Sequence, residues 1–205
     1  MRVTRASRRK PRAASDSLRR SSNLEGMEET ATLGGGCFWC MEAVYQQMEG
    51  VIAVESGYMG GRLANPSYQQ VCAGSTGHVE VVQVKFDPAI SSFRDILEVF
   101  FATHDPTSLD RQGDDVGVQY RSVIFYHGDA QRQAAEQAIR ELNAERIWSA
   151  PLVTEVRAAE TFYRAENYHQ DYFRNHSSQP YCAFVVAPKV RKFREKFAAK
   201  LRKEG

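Results

Sequence analysis

Thr30-Ala31-Thr32-Leu33-Gly34-Gly35-Gly36-Cys37-Phe38-Trp39-Cys40-Met41-Glu42 carries the chain from a short strand, through three glycines, into a helix. Thr30 to Leu33 reads as the strand. From Cys37 onward Met41, Val44, Tyr45 and Met48 recur at spacings of three and four, one face of a helix that runs to about Glu49 and ends at Gly50. Cys37 therefore stands at a helix N-terminus. Unpaired backbone N–H groups and the positive end of the helix dipole favour an anion there, so a thiolate at Cys37 is expected to form more readily than in solvent. The glycines let the backbone approach a substrate closely. The same residues also admit a plainer reading, a buried structural cysteine beside core aromatics.

Outward from this turn, strands and helices continue. Val51 to Ser56 is a second strand, followed by a glycine-studded connection from Gly57 to Gly61. Asn65-Pro66 initiates a turn, and Ser67 caps a short helix from Tyr68 to Cys72. His78 to Phe86 is a strong strand. Ser92 opens the clearest helix, with Phe93, Ile96, Leu97, Phe100 and Phe101 on one face and Asp95 at capping-box spacing. After His104-Asp105-Pro106 a long loop, LDRQGDDVGVQ, leads to a strand from Tyr120 to Tyr126; a loop of that length between firm elements points to function. A helix from Asp129 to about Asn143 follows. Strand, helix, strand, strand, helix, strand is the split βαβ, ferredoxin-like order. The expected fold is therefore α+β, a two-layer α/β sandwich around that core. Beyond Pro151 come a strand from Leu152 to Val156, an irregular aromatic and polar stretch, FYRAENYHQDYF, and a sheet extension at Tyr181 to Val186. Pro188 opens a last helix whose apolar side, Val190, Phe193, Phe197 and Leu201, packs on the core. Its basic side admits a membrane-surface role, although a solvated charged face accounts for it as well.

The composition suits one ordinary domain with extras: 205 residues, 42% hydrophobic and 25% charged. No apolar run is long enough to span a membrane, and the N-terminus lacks the apolar segment of a secretory signal. Residues 1–26 are rich in Arg and Ser with almost no apolar content, so they are expected to be a disordered basic tail before a single catalytic domain, residues 27–205. A transit peptide and a nucleic-acid tail share that composition. Seven Arg and one Lys fall before Glu25, which leaves the body mildly acidic although the whole chain is formally +2. The four cysteines, Cys37, Cys40, Cys72 and Cys182, form no regular framework, which argues against a disulfide-stapled secreted scaffold and for reactive thiols in a reducing compartment.

Several residues carry chemistry. In HVEVVQVKF, Glu80 alternates onto a face with Val82, Val84 and Phe86, while Val79 and Val81 make the other face apolar too. A carboxyl buried there and left unpaired stays protonated near neutral pH and can serve as a general acid. Alternatively it pairs with an arginine such as Arg121. Tyr68, Tyr120 and Asp115 lie in or beside loops that could face one site, although a core tyrosine and a turn aspartate are common. His104-Asp105 reads as a helix end, and His169-Gln170-Asp171 as a hydrogen-bonded pocket wall. Cys37-x-x-Cys40 lacks the second Cys or His pair of a structural zinc site. A thioredoxin-like dithiol motif is the sharper rival, since strand, CxxC and helix occur in the right order, but Phe38-Trp39 is bulky and better suited to an apolar pocket.

GGGCFWC with Glu42, GYMGG, NPSYQQV, TGHVEVVQVKFDP, FFATHDPTSLDRQGDDVGVQYRSVIFY and AENYHQDYF, in this order and spacing, resemble the A-type peptide-methionine sulfoxide reductases from about Thr30 to about Lys200. The resemblance implies thiol-dependent reduction of the S epimer of methionine sulfoxide, free or in oxidised proteins, as repair under oxidative stress. Cys37 corresponds to the nucleophile, Glu80 to the proton donor helped by Tyr68 and Tyr120, Phe38 and Trp39 to the pocket for the substrate methyl, and Asp115 and His169 to substrate-binding positions. Cys37 is left as a sulfenic acid, a second thiol condenses with it, and thioredoxin (dithiothreitol in vitro) reduces the disulfide. Neither metal nor bound cofactor, nucleic acid nor membrane is implied, and a cytoplasmic monomer is expected. The recycling cysteines depart from the better known pattern of a glycine-rich tail carrying two. Cys182, on the expectation of a mobile C-terminal segment, is taken as the resolving thiol, with Cys40 as its rival. The alternative activity is a general CxxC dithiol-disulfide oxidoreductase.

Overall fold

The computed structural model describes residues 28–203; the basic tail, residues 1–26, lies outside the described residues. Valine- and threonine-rich runs with alternating or fully apolar faces pair into a six-stranded sheet of order β7-β6-β1-β3-β2-β8. Its members are β1 (Glu29–Gly34), β2 (Val51–Met59), β3 (Val79–Phe86), β6 (Val123–Tyr126), β7 (Glu155–Ala158) and β8 (Tyr163–Arg164). β3 runs antiparallel to both β1 and β2, and β6 antiparallel to β1. The central four strands thus have the order fourth, first, third, second of the split βαβ arrangement. β7 adds in parallel beside β6, and β8 antiparallel beside β2.

The helices gather on the face of the sheet that carries Leu33, Val82, Val84 and Ile124. They are α1 (Phe38–Tyr45), α3 (Phe93–Thr103), α4 (Asp129–Glu145) and α6 (Ala187–Lys196). Ala31, Phe86, Phe100 and Phe193 are fully buried between these layers. On the other face Met59, Val79, Val81, Val123 and Phe125 form a smaller cluster against Ala159 and Phe162. α2 (Tyr68–Cys72) and α3 begin at capping boxes, Ser67 with Gln70 and Ser92 with Asp95, each satisfying two otherwise orphaned N–H groups. No helix among the described residues is long and apolar enough to cross a membrane.

Several sequence expectations are corrected, among them the strand expected from Leu152 to Val156, which is β7 at Glu155–Ala158. α1 stops at Tyr45 rather than near Glu49, because Met48 leaves the helix to bridge Leu201 and the Glu49 N–H is taken by the Lys200 carbonyl. β2 continues through Gly57-Tyr58-Met59, which pair with Val81, Glu80 and Val79 instead of forming a connection. Tyr181 to Val186 does not extend the sheet: Cys182–Val186 is a π-helical turn that runs directly into α6. The long loop holds a minimal hairpin, β4 (Arg111–Gln112) with β5 (Asp115–Val116), and a 3-10 turn at Val118–Tyr120, so Tyr120 precedes its strand. The stretch FYRAENYHQDYF resolves into β8, a 3-10 turn at Asn167–His169 and α5 (Tyr172–His176).

Candidate active site

Cys37 is the N-cap residue of α1, and Cys40 follows one turn later, its N–H bonded to the Cys37 carbonyl at 3.1 Å. The backbone reaches this position through Gly36, whose φ of +96° favours glycine and where a side chain would collide with Gln112. β3 runs beside the helix start and aims Glu80 at it. Glu80 is 1% exposed, and its Oε2 accepts the N–H of Phe38, the first residue of α1, at 3.1 Å. Arg121 is not its partner; that guanidinium lies 3.2 Å from Glu155. Burial, opposed by the Phe38 N–H and assisted by the charges of Asp115 and Cys40, pushes the Glu80 carboxyl up to about 8. It is a protonated acid at neutral pH.

The two thiols titrate as a pair. A hydrogen bond from Cys37 lowers Cys40 to about 7, while burial, the same bond and the charge of Cys40 push Cys37 well above its ordinary value. Burial thus opposes at Cys37 the thiolate that the helix terminus favours. Its sulfur makes no capping hydrogen bond, and the first N–H of the helix is spent on Glu80, so desolvation wins. The two sulfurs share a hydrogen bond, so ionisation of either one is coupled to the other.

An aromatic wall surrounds the pair. The Phe38 ring lies 5.9 Å from Tyr58, 6.5 Å from Tyr68 and 5.1 Å from His169. Trp39 stacks on Tyr172 at 3.7 Å, and its Nε1 donates to His169 Nδ1 at 3.2 Å, which puts the remaining ring proton of neutral His169 on Nε2. Burial holds the His169 pKa below its ordinary value. Burial also raises Tyr68 and Tyr120, and the Glu80 charge adds to both, so both hydroxyls keep their protons. Across the opening, Tyr181 donates its hydroxyl to Asp115 Oδ2 at 2.9 Å and meets Trp39 edge-on at 5.7 Å. The arrangement gathers two thiols, a buried protonated carboxyl and an aromatic wall in one shielded place.

The family described as peptide methionine sulfoxide reductase matches residues 29–201. The chain belongs to that family. The reductase of Polynucleobacter asymbioticus is 57% identical over 82% of this chain and 89% of its own, and that of Saccharolobus solfataricus 54% identical over 85% and 97%. Among solved structures, Mxr1 from Saccharomyces cerevisiae in reduced form has a TM-score of 0.69 at 32% identity, covering 76% of this chain and 89% of its own. Methionine sulfoxide reductase A of Corynebacterium diphtheriae has a TM-score of 0.66 at 33% identity, covering 75% and 77%. The protein is thus a peptide-methionine sulfoxide reductase with an α+β fold.

Within this reductase the structure brings Cys37, Cys40, Glu80, Phe38, Trp39, Tyr68, Tyr120, Asp115 and His169 around one site. Cys182 is close enough for the Cys40 charge to raise its pKa, after the larger effect of burial. It does not sit in a loose C-terminal segment, however: it is fully buried in the helical turn leading to α6. His104-Asp105 is a helix end: His104 is bonded to the Phe100 carbonyl and Ser122, and Asp105 to Thr107 and Ser108. Among the described residues no group of three or more His, Cys, Asp or Glu is placed to hold a metal ion. Sequence reasoning passed over Tyr58, Glu166 and Tyr181. The signal available for Tyr181 was its place beside Cys182; for Tyr58 it was the alternation that sets it opposite Glu80.

Proposed function

We propose that the reductase acts on the S epimer of methionine sulfoxide through a Cys37 sulfenic acid, and that Cys40 is the thiol that resolves it. The protonated Glu80 carboxyl bonded to the amide next to Cys37 carries this reading. The sulfoxide methyl lies against Phe38 and Trp39, with Tyr181 withdrawn from Asp115 to admit the substrate's polar backbone. Cys37 first passes its proton to Cys40. The Cys37 thiolate attacks the sulfoxide sulfur while Glu80, helped by the Tyr68 and Tyr120 hydroxyls, supplies the proton. The S–O bond passes its oxygen to Cys37, methionine leaves, and Cys37–SOH and ionised Glu80 remain. The Cys40 thiol then displaces hydroxide from the Cys37 sulfur. That hydroxide leaves as water, a Cys37–Cys40 disulfide forms, and a thioredoxin-type dithiol restores the pair by exchange.

Two features favour Cys40 over Cys182 for this step. N-cap and third helical position are one turn apart on adjacent sulfurs, whereas Cys182 must leave a packed helical turn. Mass mapping after one turnover of S-methionine sulfoxide without reductant is expected to find Cys37 joined to Cys40, and R-methionine sulfoxide is expected to leave both thiols free. A Cys37–Cys182 bond as the first product would reject Cys40, and equal consumption of both epimers would reject the stereochemical assignment.

A further inference from the structure

Glu166 lies outside the reacting groups, yet two elements distant in sequence, and its own neighbour His169, converge on its carboxylate. Its Oε1 accepts the N–H of Tyr68, the first residue of α2, at 2.9 Å. Its Oε2 accepts the hydroxyl of Tyr58 at 2.9 Å and stands 3.9 Å from His169 Nε2, a buried atom with no hydrogen-bond partner among the described residues. Tyr58 is fully buried and sits directly opposite Glu80 in the β2–β3 register. Tyr68 in turn packs between the rings of Phe38 and His169, at 6.5 and 4.4 Å. α2 has five residues, of which Val71 alone is buried. A helix that short has little stability of its own, so its placement is set by what anchors its ends. Ser67 and Gln70 satisfy the cap locally, but the Glu166 bond is the one that ties the first turn to the rest of the site. Burial alone would raise the Glu166 pKa; the donors aimed at it more than offset this and hold it ionised.

We propose that Glu166 is a positioning residue of the proton-delivery side of the site: by accepting the Tyr68 N–H, its carboxylate fixes the start of α2 and with it the Tyr68 hydroxyl. The inference rests on Tyr68 acting as a hydroxyl donor in the reaction. Two acceptor oxygens are needed because two donors point at them from different elements. Glutamine supplies one acceptor, and its NH2 group would face a donor.

The test is a double-mutant cycle on sulfoxide reduction with dithiothreitol as reductant. Glu166→Gln is expected to lower kcat about tenfold with KM changed less than about twofold, the effect of a displaced donor. In a Tyr68→Phe background the same substitution is expected to cost less than about twofold, because the group it positions is already gone. A loop staple with no link to Tyr68 would lower thermal stability and cost the same factor in both backgrounds; that result, or a wild-type kcat for Glu166→Gln, overturns the proposal. Should Glu166→Gln fail to fold by far-UV circular dichroism, Glu166→Asp keeps the charge but withdraws it from the Tyr68 N–H, and the same pair of comparisons applies. A Tyr68→Phe enzyme as fast as wild type would overturn both the donor role and the positioning role. A slow Tyr68→Phe with an unaffected Glu166→Gln would overturn the positioning role alone.

Discussion

Replacing Glu80 by glutamine should make the reductase slower and more stable at once, with the stability gain confined to the upper pH range. The carboxyl is buried and held up to about 8, against an ordinary value of 4.5. Below pH 4.5 it is protonated in the folded and unfolded chains alike. Between pH 4.5 and about 8 the unfolded chain releases the proton while the folded chain keeps it, so stability falls as pH rises through that window, by about 1.4 kcal/mol per pH unit. The full loss for one fully buried group is on the order of 4–5 kcal/mol by pH 8. Glutamine removes that dependence and can still accept the Phe38 N–H, but its buried NH2 group costs about 1–3 kcal/mol if left unpaired. The net expectation is a variant stabler than wild type by roughly 2 kcal/mol at pH 8, and less stable than wild type at pH 5. Turnover should fall about a hundredfold, the lower end for loss of a general acid, since the Tyr68 and Tyr120 hydroxyls remain. In wild type, kcat/KM should decline about tenfold per pH unit above pH 8, and the variant should lack that limb. Urea unfolding at pH 5 and pH 8, with initial rates across the same range, reads both effects. Turnover within about threefold of wild type, or a stability difference equal at the two pH values, would refute a buried protonated acid at this position.

Glu42 offers a second buried carboxyl that touches no reacting atom. Burial raises it to about 7; its Oε2 accepts the Tyr172 N–H at 3.2 Å, and its Oε1 has no hydrogen-bond partner among the described residues. With the same sign as Glu80, its contribution falls as pH rises from 4.5 to about 7. Glu42→Gln is therefore expected to be destabilising at pH 5 and to recover on the order of 2–3 kcal/mol relative to wild type by pH 8, read by urea unfolding; a gap independent of pH would contradict it. At the capping box of α3, Ser92→Ala removes the acceptor for the Asp95 N–H and should cost about 1 kcal/mol, a fall in Tm of roughly 2–4 °C by calorimetry with turnover unchanged.

Where local rules and tertiary environment agree, the sequence could be read almost to the residue. The capping boxes at Ser67 and Ser92 announce α2 and α3, and the apolar run of β3 announces a strand buried on both faces. Where they disagree, packing decides. Phe184-Val185-Val186 has the β-branched and aromatic character of a strand, but α1 and α6 leave Cys182 and Val186 a helical place in the core, and Phe184 remains exposed at the surface. Gly57 reads as a turn residue, yet it sits inside β2 because the Phe162 ring occupies the space a side chain would need. The candidate site follows the same division. Cys37, Glu80, Phe38 and Trp39 were legible because each stands at a position that the strand or helix period makes meaningful. Glu166 was not, since its partners Tyr58 and Tyr68 lie about a hundred residues away and no period connects them.

The state of the two thiols belongs to this second class as well, and it changes what the motif means. A cysteine at a helix start was expected to be the thiolate, on the strength of a local field. In the folded chain the first N–H of the helix is already used by Glu80, burial raises the Cys37 thiol, and the hydrogen bond with Cys37 lowers the Cys40 thiol one turn along. On the proposed mechanism Cys40 therefore has a part before the sulfoxide reaction, as acceptor of the Cys37 proton, and after it, as the sulfur that closes the disulfide.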